Sequence, residues 1–393
     1  MSDFISLYNE YEKTRDVCKF CTDHQEKNEA TRFLLIRSLG KDNLKDIIKS
    51  YAADKNTDGD IKTLTKKAFD SSVTVCGLIE YIENERPKQI KIREEALEGL
   101  SDVLADCHDV NCGIRNDKIE DIVKAFVRDK TLKSYKDLIY KLDNDVLPRI
   151  RKYSLWSYYN QTSNDIIELY FLKNQNVVPT LRKIHDVDFF IKVEDDLIPF
   201  DLKFTHISDE YFDLASQGII KNTDSANYDD FCISDGESEI RSIKNFYKEF
   251  KRSNPEYNLP NLKDLKKEDI CKYLVETENN EAVQFVDRKK EAHKKYVPST
   301  SDDLQRLEWW NYKYQGERLF CNNNRLFVFL AYIDKFVEGR ELKGKTEDIG
   351  EKITNLLNNI DMENIHTVKY HYDKDVTLAG DYTAYSISTI YSE

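Results

Sequence analysis

The chain has 393 residues, of which 40% are hydrophobic and 33% charged, and its formal net charge is −13. This composition excludes disordered and fibrous classes, and the length suffices for two or three domains with real cores. No apolar run is long enough to cross a bilayer, and the first residues lack the plan of a signal peptide, so we expect a cytoplasmic protein without membrane contact. The negative charge argues against broad nonspecific adhesion to nucleic acid but leaves room for a local basic groove.

The first 150 residues show apolar side chains at helical spacing. In "NLKDIIKSYAA", for example, Leu44, Ile47, Ile48 and Tyr51 form one stripe. The turn-rich segments 54–60 and 84–88 are predicted connectors between helices. We therefore predict an all-helical domain over residues 1–150, with a role in recognition, regulation or dimerisation.

From residue 151 the pattern changes to that of an α/β domain, which we predict over residues 151–393. Ser163 is the predicted N-cap of a helix whose apolar stripe is Ile166, Ile167, Tyr170 and Phe171. A polar, mostly helical insertion is predicted at about 206–315. The remaining predicted elements of this mixed α/β core are strands at 186–193, 197–205, 325–333 and 365–372 and a helix at 347–360.

The segment "DVDFFIKVEDDLIPFDLK", residues 186–203, reads as a β-hairpin with charged residues on one face. If residues 193–196 form the connection, Asp188 lies directly opposite Asp201, and Asp186 lies opposite Lys203. The other face is then apolar and carries Val187, Phe189, Ile191, Val193, Ile198, Phe200, Leu202 and Phe204.

Two carboxylates that face each other across a hairpin need a stabilising partner. Directly opposed Cβ atoms are about 4.5 to 5.5 Å apart, where like charges destabilise the pair. A divalent cation between Asp188 and Asp201 removes this penalty, and carboxylate oxygens are ligands that Mg²⁺ prefers. Lys203 reaches the same place, where it can help to deprotonate a water or stabilise negative charge on a phosphate. These are the parts required to hydrolyse a phosphodiester.

The segment "VDFFIKVEDDLIPFDLK" resembles the signature of the PD-(D/E)XK nuclease superfamily, with Asp188 as the first acid and Asp201-Leu202-Lys203 as the D-x-K. The resemblance implies a restriction-endonuclease-like mixed β-sheet core flanked by helices, preceded here by the all-helical domain. It also implies that Asp188 and Asp201 bind Mg²⁺, with Mn²⁺ as an alternative metal, and that Lys203 lies beside the attacking water. Many members supply a further acid from the helix before the first strand, a position that Glu168 fits as a third catalytic and metal-binding residue. The sequence departs from the pattern in having Val187 where a proline is usual.

The resemblance implies a Mg²⁺-dependent DNA endonuclease, of the type II-like restriction or antiviral-defence kind, that hydrolyses phosphodiester bonds. Cleavage of double-stranded DNA usually takes two active sites, so we expect a homodimer. Two alternatives stay open. One is a nuclease effector activated by a signal or partner, and the other is a non-catalytic nucleic-acid-binding protein that keeps the fold.

A zinc site is a separate hypothesis for the cysteines, of which the chain has eight. The ligand types suit Zn²⁺, but the segments follow helical patterns, and cysteine is often a small buried apolar residue, which is the interpretation we favour. The candidate ligands are Cys18, Cys21, His24, Cys107, His108 and Cys112.

Aromatic and basic segments are further candidates for contacts with nucleic acid. The aromatic residues of 156–159 and 308–320 can stack on bases, although core packing is the more common role. The lysine-rich and aromatic segments 244–252 and 287–296 suit contacts with phosphates, although such runs are more often solvated helix faces.

Overall fold

A six-stranded mixed sheet forms the centre of the molecule. The computed structural model describes residues 3–25, 28–107, 116–194, 196–217, 238–337 and 339–393. The strands follow the order β1-β2-β3-β4-β6-β5 across the sheet. The first three form an antiparallel meander, β3, β4 and β6 are parallel, and β5 is antiparallel to β6. Their bounds are Val177–Ile184 (β1), Val187–Val193 (β2), Asp196–His206 (β3), Arg325–Ala331 (β4), His366–Tyr372 (β5) and Gly380–Ser392 (β6).

Sixteen α-helices lie in these described ranges, so the chain is mixed α/β as the sequence predicts. Ten of them precede the sheet: Phe4–Lys13 (α1), Val17–Asp23 (α2), Glu29–Arg37 (α3), Lys41–Tyr51 (α4), Ile61–Phe69 (α5), Val75–Leu97 (α6), Leu100–Ala105 (α7), Asn116–Arg128 (α8), Tyr135–Lys141 (α9) and Leu147–Lys173 (α10). Five lie between β3 and β4, and the last lies between β4 and β5: Asp209–Ser216 (α11), Glu239–Ser253 (α12), Lys267–Glu276 (α13), Asn280–Lys294 (α14), Ser301–Lys313 (α15) and Thr346–Asn358 (α16).

Helices cover both faces of the sheet. Ile167 of α10 and Ile353 of α16 pack against β2, β3 and β4 on one face. On the other face, helices α1 to α6 share a core with Val178 and Phe190 of β1 and β2, and α15 packs on β4, β5 and β6. The sheet is therefore buried on both sides, which explains why β4 is buried at every position.

The helical character of the N-terminal region is confirmed for its described residues, but one predicted connector is wrong. Residues 54–60 do form a loop, whereas 84–88 lie inside α6, which contains Pro87. A proline in a helix interior costs about 3 kcal/mol. The neighbouring Arg86 is buried and donates to the carbonyl oxygens of Leu172, Asn174 and Val177, so its tertiary contacts hold the helix together there.

Ser163 does not begin a helix, because α10 starts at Leu147 and runs on to Lys173. The Ser163 hydroxyl donates to the carbonyl oxygen of Tyr159, one turn earlier, instead of capping. The aromatic segment before it is thus helical. Since α10 also passes through residues 150 and 151 without a break, no linker marks the predicted domain boundary, and that division stays a prediction.

The core elements at 325–333, 347–360 and 365–372 are confirmed as β4, α16 and β5. The described part of the insertion is helical, as expected. Two strands were not predicted, β1 and β6. The first contains Pro179 and two basic residues, which hide the strand pattern. The second, "GDYTAYSISTIYS", carries aromatic and β-branched residues after a glycine, a signal that could have identified it.

Candidate functional site

The hairpin of β2 and β3 has the predicted register. Phe189 pairs with Phe200 and Val193 with Asp196, and the next position along the ladder brings Asp188 to Asp201. Seven of the eight residues predicted on the apolar face belong to the core with α10 and α16. The exception is Val187, which packs with the N-terminal helices because the pairing of β1 with β2 shifts register just before it.

Asp186 does not face Lys203, so that predicted pair is wrong. Asp186 lies in the tight turn between β1 and β2, where its φ of 58° is in the left-handed region. Its carboxylate pairs with His185 at 3.2 Å, and its carbonyl oxygen accepts from Asn323. The residue therefore shapes the turn and leaves the acidic face to Asp188 and Asp201.

Asp188 is held against the backbone of β3 and against a second acid. The amide of Leu202 donates to Asp188 Oδ2 at 2.8 Å. Burial, followed by the negative charge of Asp201, raises the pKa of Asp188 to about 7. Asp188 and Asp201 are thus a buried pair of carboxyl groups in which the charge of Asp201 opposes ionisation of Asp188.

Asp201 is buried, with 6% of its surface exposed, and two basic residues lie near it. Lys203 Nζ lies 2.7 Å from Asp201 Oδ2, and Arg325 Nε lies 3.9 Å from the same oxygen. The Lys203 ammonium approaches this buried oxygen without forming a hydrogen bond of regular geometry, and no other N–H or hydroxyl group of the described residues hydrogen-bonds to it. The side chain of Lys203 is 46% exposed, which lets it reach a substrate that lies on the surface.

Glu168 of α10 borders the same cavity as Asp188, but its carboxylate already has two cationic partners. The cavity has a volume of about 130 Å³, and Arg93, Arg182 and Lys183 also line it. Arg93 Nη1 lies 3.3 Å from Glu168 Oε2, and Lys183 Nζ lies 3.4 Å from Oε1. Sequence reasoning missed these basic residues and Arg325, since no local pattern links a residue of α6 to a site on β2 and β3.

The acid pair fits a hard divalent cation. Its oxygens are carboxylates, and a bound positive charge would offset the burial and the Asp201 charge that together raise the pKa of Asp188. Asp188 and Asp201 would hold the ion. Within the described ranges, no group of three or more acidic, histidine or cysteine side chains is assembled as a metal site, so Glu168 does not join the pair as the side chains stand.

The zinc candidates are divided among several environments. Cys18 Sγ donates to Asn324 Oδ1 at 3.2 Å, and His24 pairs with Glu10 at 3.0 Å. Cys107 packs in a different cluster, beside Leu104. His108 and Cys112 lie outside the described residues. Among the described residues these side chains do not come together as a group of three or more metal ligands, and the zinc site stays a hypothesis.

The aromatic segment 308–320 serves mainly as core, since Trp309, Trp310 and Tyr312 are buried residues of α15 that pack against the sheet. In the other segment Tyr158 is exposed, whereas Tyr159 is buried and donates to the carbonyl oxygen of Glu341. The basic segments 244–252 and 287–296 lie on α12 and α14, which pack together with α13 around a small core of their own. Their lysines remain candidates for phosphate contacts.

Comparisons with models of known protein families, with curated proteins and with solved structures found no match to this chain. Among the helices of the described ranges, none has the length and apolar content needed to cross a membrane.

Proposed function

We propose that the chain is a Mg²⁺-dependent DNA endonuclease of the PD-(D/E)XK kind that hydrolyses phosphodiester bonds in double-stranded DNA. The observation that supports this most directly is the acid pair itself. Asp188 and Asp201 lie side by side at the predicted register, with the Lys203 ammonium 2.7 Å from Asp201. A restriction or antiviral-defence role, and action as a homodimer, belong to the same proposal and follow from the family resemblance.

The sheet supports the proposal at a second level. The acids lie on the hairpin of an antiparallel meander whose last strand, β3, is followed by the parallel strand β4, with α10 and α16 packed on one face. A mixed sheet flanked by helices is the core that the PD-(D/E)XK resemblance implies. The first acid and the D-x-K therefore lie within a suitable framework as well as in a suitable sequence.

Each side chain has a role that follows from its surroundings. Asp188 and Asp201 would hold the Mg²⁺, which when bound would polarise a phosphate oxygen as a Lewis acid and lower the pKa of a bound water. Lys203, which is half exposed and fixed by Asp201, orients the attacking water and stabilises the negative charge that develops on the phosphate. Arg325 keeps Asp201 in place from the start of β4, since its guanidinium also binds Asn323 and Gln315.

The test is cleavage of plasmid and phage DNA with Mg²⁺ or with EDTA, by the wild type and by Asp201→Asn and Lys203→Ala. Lys192→Ala is a matched control, because Lys192 lies on the neighbouring strand β2 and pairs with Glu83, away from the acids. We expect Mg²⁺-dependent cutting by the wild type and the control and none by the two site variants. Discrete bands would indicate a sequence-specific restriction enzyme. Equal cutting by all four proteins would refute the assigned site.

A second candidate is a nuclease that stays inactive until a signal or partner engages it. The observation that favours it is Glu168, whose carboxylate is neutralised by Arg93 and Lys183 and does not reach the acid pair. Arg93 belongs to α6, so the N-terminal helices hold part of the site. This candidate predicts weak cleavage by the wild type that rises when a ligand of those helices is added.

A further inference from the structure

The cavity beside Asp188 carries a cluster of positive charge that the assigned catalytic residues do not explain. Arg93, Arg182 and Lys183 line it together with the acids Glu168 and Asp188. The three basic residues come from two distant parts of the chain, α6 and β1. At about 130 Å³, the cavity has room for a phosphate group and several waters, since one water occupies about 10 to 15 Å³ by this measure.

The three basic side chains differ in how firmly they are held. Arg182 donates to the carbonyl oxygen of Arg37 at 2.6 Å and serves to join β1 to α3. Arg93 and Lys183 have Glu168 as their anionic partner, and their side chains are 36% and 69% exposed. Ion pairs with that much exposure contribute little to stability, so both side chains can exchange one anion for another at small cost.

We propose that Arg93 and Lys183 bind a backbone phosphate of the DNA and that this phosphate displaces Glu168. This inference rests on the proposed function. In the free protein Glu168 occupies the place of the phosphate and keeps both cations oriented toward the cavity. When a phosphate takes over these contacts, Glu168 is released toward Asp188, with which it shares the cavity. The exchange of partners links DNA binding to the completion of the acidic site.

The geometry favours a phosphodiester as the displacing anion. The guanidinium of Arg93 contacts Glu168 through Nη1, and the paired N–H donors of such a group match two phosphate oxygens better than a single ammonium does. Lys183 approaches the other oxygen of the same carboxylate, so the two cations are spaced for an anion with at least two oxygens. Because Arg93 belongs to α6, the N-terminal helices take part directly in substrate binding.

The experiment measures binding of the full chain to a short labelled DNA duplex in EDTA, where no cleavage occurs, at several salt concentrations. Arg93→Gln is expected to weaken binding about fivefold and to reduce the slope of log K against log salt by about 1. Glu168→Gln has the opposite sign: it removes the competing anion and is expected to tighten binding about threefold. Most of that gain should disappear in the double variant, because the gain depends on Arg93.

Two control variants change residues of α6, the helix that carries Arg93, and they repeat the charge changes of Arg93→Gln and Glu168→Gln. Lys91→Gln and Glu95→Gln alter a surface pair of α6 that does not border the cavity. The inference is overturned if Arg93→Gln weakens binding no more than Lys91→Gln, or if Glu168→Gln tightens it no more than Glu95→Gln. Arg93→Lys keeps the charge and should restore the salt slope, and thermal unfolding checks that every variant is folded.

The outcome is separable from that of the cleavage assay. A protein that binds DNA with the expected opposite signs but never cuts supports the exchange and refutes the nuclease. If the wild type cuts DNA while Glu168→Gln and Arg93→Gln leave binding unchanged, the nuclease is supported and the exchange is refuted. If inorganic phosphate raises the unfolding temperature of the wild type while Arg93→Gln binds DNA normally, the site takes free phosphate and the inference is wrong.

Discussion

Two of the buried charge clusters in the described part of the chain differ in how their charges are compensated. In the insertion, Glu239 of α12 is 4% exposed and accepts from Lys267 of α13 at 2.7 Å and from His293 of α14 at 3.0 Å. Burial raises the pKa of Glu239, but the His293 hydrogen bond and the Lys267 charge outweigh it, and the net pKa is lower than usual. This cluster contains its own compensation.

The acid pair on β2 and β3 is compensated only in part. Asp188 and Asp201 are of like charge, and burial together with the charge of Asp201 raises the pKa of Asp188 to about 7. Lys203 and Arg325 lie close to Asp201, whereas Asp188 has no cationic partner among the described residues. A buried group with matched partners serves the fold, whereas a mismatched pair costs stability and is expected where function requires it.

The largest expected difference between the clusters is in activity. We expect Asp201→Asn to lower the rate of DNA cleavage by about a thousandfold or more, because the metal loses a charged ligand. Glu239→Gln should cut at close to the wild-type rate, provided that the assay temperature is low enough for the variant to stay folded. Initial rates on supercoiled plasmid with Mg²⁺ measure both. A comparable loss in the two variants would show that the insertion cluster also serves the reaction.

For stability we expect the larger loss in the insertion cluster rather than in the acid pair. We expect Glu239→Gln to lower the free energy of unfolding by about 3 to 5 kcal/mol, since it leaves Lys267 and His293 without their buried counter-charge. Urea unfolding followed by circular dichroism measures the change. Glu249→Gln, an exposed residue of the same helix, is the matched control and should change little. Equal effects of the two substitutions would mean that the insertion cluster does not hold α12 to α13 and α14.

For the acid pair we expect the opposite change: removing one carboxylate should raise the free energy of unfolding, by an amount that depends on pH. The pKa of Asp188 is about 7 in the folded chain and near 3.8 in the unfolded one, so the folded state binds the extra proton between these values. In EDTA, its contribution to stability is therefore present at low pH and is lost as the pH rises to 7. We expect Asp188→Asn to be more stable than the wild type by about 1 to 3 kcal/mol at about pH 8, and equally stable at about pH 4.

The measurement is urea unfolding across this range of pH. Asp196→Asn, at the exposed start of β3, is the control and should follow the wild type. The lowered pKa of Glu239 has the opposite consequence, because its contribution is present above pH 4.5 and is lost as the pH falls. A wild-type profile without any decline between the two pKa values of Asp188 would contradict the picture of a strained acid pair.

The sequence predicted the register of the hairpin but not the setting of the acids. Alternation and a short connection bring Asp188 to Asp201, and both features are local. The same local reasoning failed at Ser163 and Pro87, which lie inside helices that continue past the predicted ends. It also failed at Asp186, because a turn in the left-handed region displaced that residue from the strand.

The basic half of the site depends on contacts that no spacing rule can anticipate. Arg93 lies 75 residues before Glu168 in the chain, and their pairing follows from the packing of α6 against α10. Charge pairs of this kind need the tertiary fold. The pairing of Asp188 with Asp201 can therefore be predicted from the sequence, whereas the basic residues that line the neighbouring cavity cannot.

The smallest expected effect concerns the metal in the absence of DNA. If the acid pair binds Mg²⁺, the ion should raise the free energy of unfolding of the wild type by about 1 to 2 kcal/mol at about pH 8. The effect should fade as the pH drops below 7, because Asp188 then holds a proton in place of the metal. Asp188→Asn should lose this gain, whereas Glu249→Gln should keep it. Mg²⁺ that stabilises Asp188→Asn as much as the wild type would mean that the ion binds elsewhere, and the contrast between the two clusters would then lose its functional meaning.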